Sequence, residues 1–253
     1  RVPDNLPALR ALHAESVDIM PQKQAVRQDI RPLRLLLLNL MPKKRDTEIQ
    51  FARLFGNTPL QVEMILMTTA SYTPQNTEPG YLRRFYRQLD DVRDDYFDAL
   101  IITGAPIETL PFEDVKYWAE LTEIMEWSRE HCFRRLGVCW GAQALLWHFH
   151  KVQKHELKAK LFGIFEHHLS DVSGRLMHGF TDQFPMPASR YTMNRSEDLM
   201  AAGLNVLAEG GECGAGMVRD PETGDLFVFN HLEYDATTIG DEYHRDLAAG
   251  LNT

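Results

Sequence analysis

Four short apolar runs, each followed by a segment with helical spacing, restrict this chain to a small set of folds. The runs are Arg34 to Met41, Leu60 to Met67, Ala99 to Thr103 and Leu136 to Cys139. Nearly continuous apolar stretches of this length suit strands buried on both faces, the condition of a parallel sheet. Between them, Asp46 to Phe55 carries Ile49, Phe51, Ala52, Leu54 and Phe55 close to helical spacing, with Gly56-Asn57 as the stop. Tyr81 to Leu89 reads as a helix with an Arg-rich outer face, and Asp114 to His131 as a long amphipathic helix opened by an Asp114 cap. Trp140 to Phe149 completes the alternation. The pattern predicts an α/β fold, a doubly wound, mostly parallel sheet flanked by helices.

Beyond Lys151 the signal weakens. Leu161 to Leu169, Met193 to Leu199 and Val206 to Ala208 read as short elements, Leu226 to Asn230 as a late strand, and Asp241 to Ala249 as a closing helix. No repeat or convincing linker divides the chain, so residues 1–253 are read as a single α/β domain with an irregular N-terminal segment at about 1–30.

Charge and composition remove several functions. With 27 Lys plus Arg against 36 Asp plus Glu, the net charge of -9 argues against nucleic acid as a main partner, because that affinity rests on cations neutralising phosphates. No segment approaches the roughly 20 apolar residues of a membrane span. The opening Arg1-Val-Pro-Asp-Asn-Leu-Pro7 lacks the apolar stretch of a signal peptide, and three cysteines make no disulfide framework, so a cytoplasmic protein with reduced thiols is expected. The subunit number is left open, a homodimer included.

The sharpest local feature is Leu136-Gly-Val-Cys-Trp-Gly-Ala-Gln143. A cysteine between a strand and a helix, with glycine on both sides, matches the turn that lifts a nucleophile to the top of a sheet. The helix N-terminus behind it favours thiolate. Cys139 is therefore a candidate nucleophile, against the commoner fate of a buried structural cysteine. His231-Leu-Glu233, directly after the late strand, offers a base and a carboxylate to orient it, residues two apart on an extended chain sharing a side. His167 and His168 are adjacent and diverge on a strand, and no Cys or His pair has zinc-site spacing, so no metal is expected. Nor is there a glycine-rich phosphate loop, so no permanently bound cofactor is expected.

These residues resemble the class I glutamine amidotransferase superfamily, with its Cys, His and Glu triad. More specifically, Gln28-Asp-Ile-Arg-Pro-Leu-Arg34, Leu38-Asn-Leu-Met-Pro42, Phe55-Gly-Asn-Thr-Pro-Leu-Gln-Val62, Thr103-Gly-Ala-Pro106, Tyr117-Trp118, Glu166-His-His168, Ser189-Arg-Tyr191 and His231-Leu-Glu-Tyr-Asp235 resemble the bacterial homoserine O-acyltransferase family. The resemblance runs over essentially the whole chain in order. It implies a methionine-biosynthetic enzyme that moves an acyl group from coenzyme A to the hydroxyl of L-homoserine. Cys139 would carry the acyl thioester, His231 accept protons and Glu233 orient it, with Lys160, Ser189 and Arg245 binding substrate. The oxyanion would rest on backbone N–H groups near Trp140 and in the turn containing Ala105. Glu108 falls at the family's donor-selecting position, where Glu goes with acetyl-CoA and Gly with succinyl-CoA, so acetyl-CoA is the expected co-substrate. A succinyl donor, a serine acceptor and a glutaminase remain the alternatives. Family members usually continue beyond a final helix like the one ending near Ala249.

Overall fold

The structure, a computed structural model, describes residues 1–17, 19–25, 31–72, 76–170 and 175–251. Gln28, Asp29 and Ile30 of the first resembling segment, and Asn252 and Thr253 at the end, lie outside the described residues. The chain forms two compact units, residues 1–106 with 112–135, and residues 107–111 with 136–253.

The first unit runs through α1 (Ala8–Ala14), α2 (Gln22–Ala25), β1 (Leu33–Leu38), α3 (Lys44–Gly56), β2 (Val62–Met67), α4 (Pro79–Phe85), β3 (Tyr86–Arg87), α5 (Leu89–Val92), β4 (Phe97–Ile102), α6 (Trp118–His131) and the start of β5 (Cys132–Val138). Its strands lie in the order β3-β2-β1-β4 with parallel pairing, as the apolar runs predict. Leu36, Leu37 and Leu38 are consecutive and all fully buried, so β1 is covered on both faces. Burial of this kind is worth about 2 kcal/mol for each leucine side chain.

Three boundaries differ from the sequence expectation. The N-terminal segment contains α1, whose Ala8, Leu9 and Leu12 are buried, with Pro7 tolerated at the N-cap. The expected helix from Tyr81 stops at Phe85, because Tyr86 turns extended and pairs with Leu66 of β2. Its hydroxyl then donates to Glu48 at 2.6 Å beside a second bond from Tyr81 at 2.5 Å. Residues near Asp114 form a separate 3-10 turn, and α6 begins only at Trp118.

The second unit takes the end of β5 and adds α7 (Trp140–His150), β6 (His155–Leu169), β7 (Gln183–Met193), α8 (Ser196–Ala201), β8 (Asn205–Gly210), β9 (Gly214–Arg219), β10 (Leu226–Val228) and α9 (Thr238–Ala248). β5 and β10 are parallel neighbours, extending the α/β pattern. From β10 the order continues β9-β8-β6-β7 with antiparallel pairs. Two of these strands were not read from the sequence. β7 contains Pro185 and Pro187, which ordinarily argue against a strand, and it tolerates them because its described pairing is with β6 alone, as on a sheet edge. β9 begins Gly-Ala-Gly, and Gly216 is required there because a Cβ would sit 2.5 Å from the His167 ring.

Candidate active site

β5 and β10 fix the site through their register. Val138 pairs with Val228, so the chain leaves both parallel strands at the same edge, where α/β sheets collect reactive groups. One residue after Val138 comes Cys139, and three after Val228 comes His231. The Cys139 backbone N–H donates to the Val228 carbonyl at 2.8 Å, which ties the two ends together.

Cys139 has φ 50° and ψ -117°, a conformation that side chains rarely adopt. The tight turn also needs Gly137, since a Cβ there would meet the Ala142 Cα at 2.4 Å and its nitrogen at 2.6 Å. The glycine before the cysteine is thus required by the close approach of α7 to β5. This is the strand-to-helix turn expected from the sequence, with α7 starting at Trp140 and directing the positive end of its dipole toward the thiol.

His231 is buried, and its backbone N–H donates to the Pro187 carbonyl of β7 at 2.8 Å. Its Nδ1 lies 2.6 Å from Glu233 Oε1, and the Cys139 thiol lies close enough to act on the ring. With Nδ1 committed to Glu233, Nε2 is left for the thiol. The pair meets across a turn at Leu232-Glu233 rather than along an extended strand. Burial opposes a charge on the ring, but the Glu233 carboxylate and Cys139 outweigh it and raise the His231 pKa well above the ordinary value. The Tyr234 ring stacks on His231 with centroids 4.2 Å apart, and its hydroxyl donates to Glu242 Oε1 at 2.9 Å.

Glu108 belongs to the second unit and is anchored there. The Tyr191 backbone N–H donates to its Oε2 at 2.6 Å, while Lys154 Nζ donates to the Glu108 carbonyl at 2.5 Å and the Leu110 carbonyl at 2.6 Å. Burial raises the Glu108 pKa, against the opposing pull of the Tyr191 N–H and of His231, Arg190 and Lys160. Its carboxyl group therefore shares an electrostatic environment with His231.

Lys160 lies on β6 with a side chain only 4% exposed, and its Nζ donates to Asp246 Oδ2 at 2.5 Å. Arg245 Nε donates to Asp246 Oδ1 at 2.9 Å and Nη2 forms an ion pair with the same oxygen at 2.8 Å, while its side chain remains 56% exposed. Ser189, half-buried on β7, pairs in register with Phe162 of β6, two positions after Lys160. Trp140 is fully buried at the start of α7. Ala105, also buried, lies in the first unit after β4.

Sequence reasoning missed three residues here. Arg190 on β7 is buried, and its Nη2 donates to the Cys213 carbonyl at 2.5 Å. Burial lowers its pKa, against the opposing pull of Cys139, Cys213 and Glu108. Its place in an unread strand hid it. Asp246 is the second, and Glu242 the third. Cys213 also has a histidine neighbour, His167 Nε2 at 3.1 Å, but burial raises the pKa of this thiol. It has no turn like that at Cys139. Among the described residues no group of three or more His, Cys, Asp or Glu is placed to hold a metal ion, and no helix is long and apolar enough to cross a membrane.

A family model described as homoserine O-succinyltransferase matches residues 1–253. The homoserine O-acetyltransferase of Synechococcus elongatus is 51% identical over 251 residues, 99% of this chain and 84% of that protein. The homoserine O-acetyltransferase of Allorhizobium ampelinum is 48% identical over 252 residues, 99% of this chain and 82% of that protein. Among solved structures, a glutamine amidotransferase from Thermotoga maritima aligns with a TM-score of 0.59 at 12% identity, covering 87% of this chain and 86% of that one. The CTPS glutaminase domain of Trypanosoma brucei aligns with a TM-score of 0.55 at 13% identity, covering 88% and 96%. These two likenesses show the fold, that of the class I glutamine amidotransferases.

Proposed function

The chain belongs to the homoserine O-succinyltransferase family and is an acyltransferase, and we propose that it acts as a homoserine O-acetyltransferase through a Cys139 thioester. The observation that carries this reading is the meeting of Cys139, His231 and Glu233 at the ends of β5 and β10. A thiol beside an imidazole that a carboxylate orients is suited to act as a nucleophile.

In the first half-reaction the Cys139 sulfur attacks the thioester carbonyl of acetyl-CoA. The tetrahedral oxyanion is held by backbone N–H groups, those near Trp140 being the candidates in the second unit. Its collapse breaks the bond to coenzyme A sulfur, which takes a proton from His231. Homoserine then enters, His231 accepts its hydroxyl proton, and the oxygen attacks the acetyl-Cys139 carbonyl. The new ester leaves and the Cys139 thiolate is restored against protonated His231. Glu233 keeps the ring oriented and offsets its charge throughout. Thiol, base and oxyanion donors supply this chemistry, so the reading needs no resident cofactor or metal.

Glu108 supports acetyl over succinyl. A succinyl group ends in a carboxylate, and an anchored Glu108 both narrows the space for it and repels it when ionised. Arg245 offers the exposed guanidinium that a homoserine carboxylate can engage, and Lys160 and Ser189 are the other substrate residues of the reading. A biosynthetic acyltransferase of this kind would work in the cytoplasm. Initial rates over a grid of acetyl-CoA and homoserine concentrations should give parallel double-reciprocal lines. Intersecting lines, or faster turnover with succinyl-CoA, would contradict the proposal.

A further inference from the structure

Lys160 and Arg245 come from opposite ends of the second unit's sequence, yet both end on one buried carboxylate. Asp246 is 2% exposed and accepts charge-assisted hydrogen bonds from Lys160 Nζ at 2.5 Å and Arg245 Nε at 2.9 Å, with Arg245 Nη2 in ion-pair contact at 2.8 Å. Burial works against its charge, but the bonds from Lys160 and Arg245 hold its pKa below the usual carboxylate range.

The two cations do not face Asp246 alone: Glu242 also favours the charge on Arg245, and Lys160 also acts on Glu108. The Lys160 ammonium is enclosed, lying 4.5 Å from the Phe162 ring centroid and 5.8 Å from that of Tyr191. Arg245 is the exposed member, with one side of its guanidinium committed to Asp246 and the rest turned to solvent. An unrestrained arginine would lose side-chain freedom on binding substrate, a cost of about 0.5–1.5 kcal/mol for a flexible side chain. Here that freedom is already lost.

We propose that Asp246 is a positioning residue that holds Lys160 and Arg245 together as one preformed receptor for the carboxylate of the acceptor amino acid. This rests on the acyltransferase reading above and extends it to how the acceptor is recognised. Asp246 itself touches no reacting atom. It acts by fixing the geometry of Lys160 and Arg245.

The test compares homoserine with 3-aminopropan-1-ol, the same hydroxyl amine without the carboxylate, as acceptors of acetyl-Cys139. The unaltered protein should prefer homoserine by about a hundredfold in kcat/KM, the scale expected when a site built to pair a polar group meets an analogue lacking it. In Asp246→Asn that preference should fall below about tenfold through loss of homoserine turnover, with 3-aminopropan-1-ol and the acetylation of Cys139 unchanged. Asp246→Glu, which keeps the charge, should restore part of it. Equal losses for both acceptors would show a merely structural role and overturn the proposal, as would an undiminished preference.

Asp246→Ser provides the same comparison if Asp246→Asn does not fold. The preference should again fall below about tenfold, whereas an unchanged preference would overturn the proposal. If the unaltered protein transferred no acetyl group to homoserine, the acyltransferase reading would fail first. If it transfers and the variants keep their preference, only the role of Asp246 fails.

Discussion

Glu108 Oε2 accepts a hydrogen bond from the Tyr191 backbone N–H at 2.6 Å, so the residue expected to select the acyl donor is fixed to β7. Replacing it by glycine removes both the bulk and the charge. Glu108→Gly should raise the ratio of succinyl-CoA to acetyl-CoA kcat/KM by about tenfold to a hundredfold, measured by coenzyme A thiol release. Burial raises the Glu108 pKa, so its negative charge is lost at a higher pH than for an exposed carboxylate. Discrimination against succinyl-CoA in the unaltered protein should accordingly weaken as pH falls through that raised value, leaving only the steric part.

The His231 pKa is raised above its ordinary value despite burial, through Glu233 and Cys139. A histidine whose folded pKa is raised adds stability that is fully present below its unfolded pKa, near 6.5, and is lost as pH rises through the folded value. Chemical denaturation across this range should show that decline, and Glu233→Gln should flatten it. Ring-nitrogen NMR should find the His231 titration moved down in the same variant. Loss of ring orientation should also lower kcat by about a thousandfold.

Cys139 adopts φ 50°, a conformation that suits glycine. Cys139→Gly should therefore be more stable than Cys139→Ala by about 1–2 kcal/mol in urea unfolding, while both are inactive. Equal stabilities would mean that the turn carries no strain.

Gly137 faces the Ala142 backbone, with room for no further carbon. Gly137→Ala should cost about 2–3 kcal/mol of stability and reduce Cys139 reactivity toward iodoacetamide, since α7 must move away from β5. Gly240→Ala, where an added Cβ meets nothing within 4 Å, is the matched control.

The parts of the site legible in the sequence are those determined locally. Cys139 follows a short apolar strand and sits among glycines, and His231 and Glu233 are two residues apart, so spacing alone brought them forward. Arg190 and Ser189 were harder because Pro185 and Pro187 disguise β7, whose strand character comes from pairing with β6. Asp246 was invisible for a different reason. Its significance lies in Lys160, 86 positions away, and acidic residues on a helix ordinarily face water. Tyr86 shows the same limit in the fold, where pairing with β2 overrides the helical spacing around it.

The central claim is that Cys139 carries the acetyl group between donor and acceptor. Mass spectrometry of the protein incubated with acetyl-CoA alone tests it directly, with the adduct mapped to the peptide containing Cys139 and then challenged with homoserine. The account predicts an acetyl thioester on Cys139 that homoserine discharges as O-acetylhomoserine. A protein left unmodified, modified at another residue, or carrying an adduct that homoserine fails to remove would contradict it.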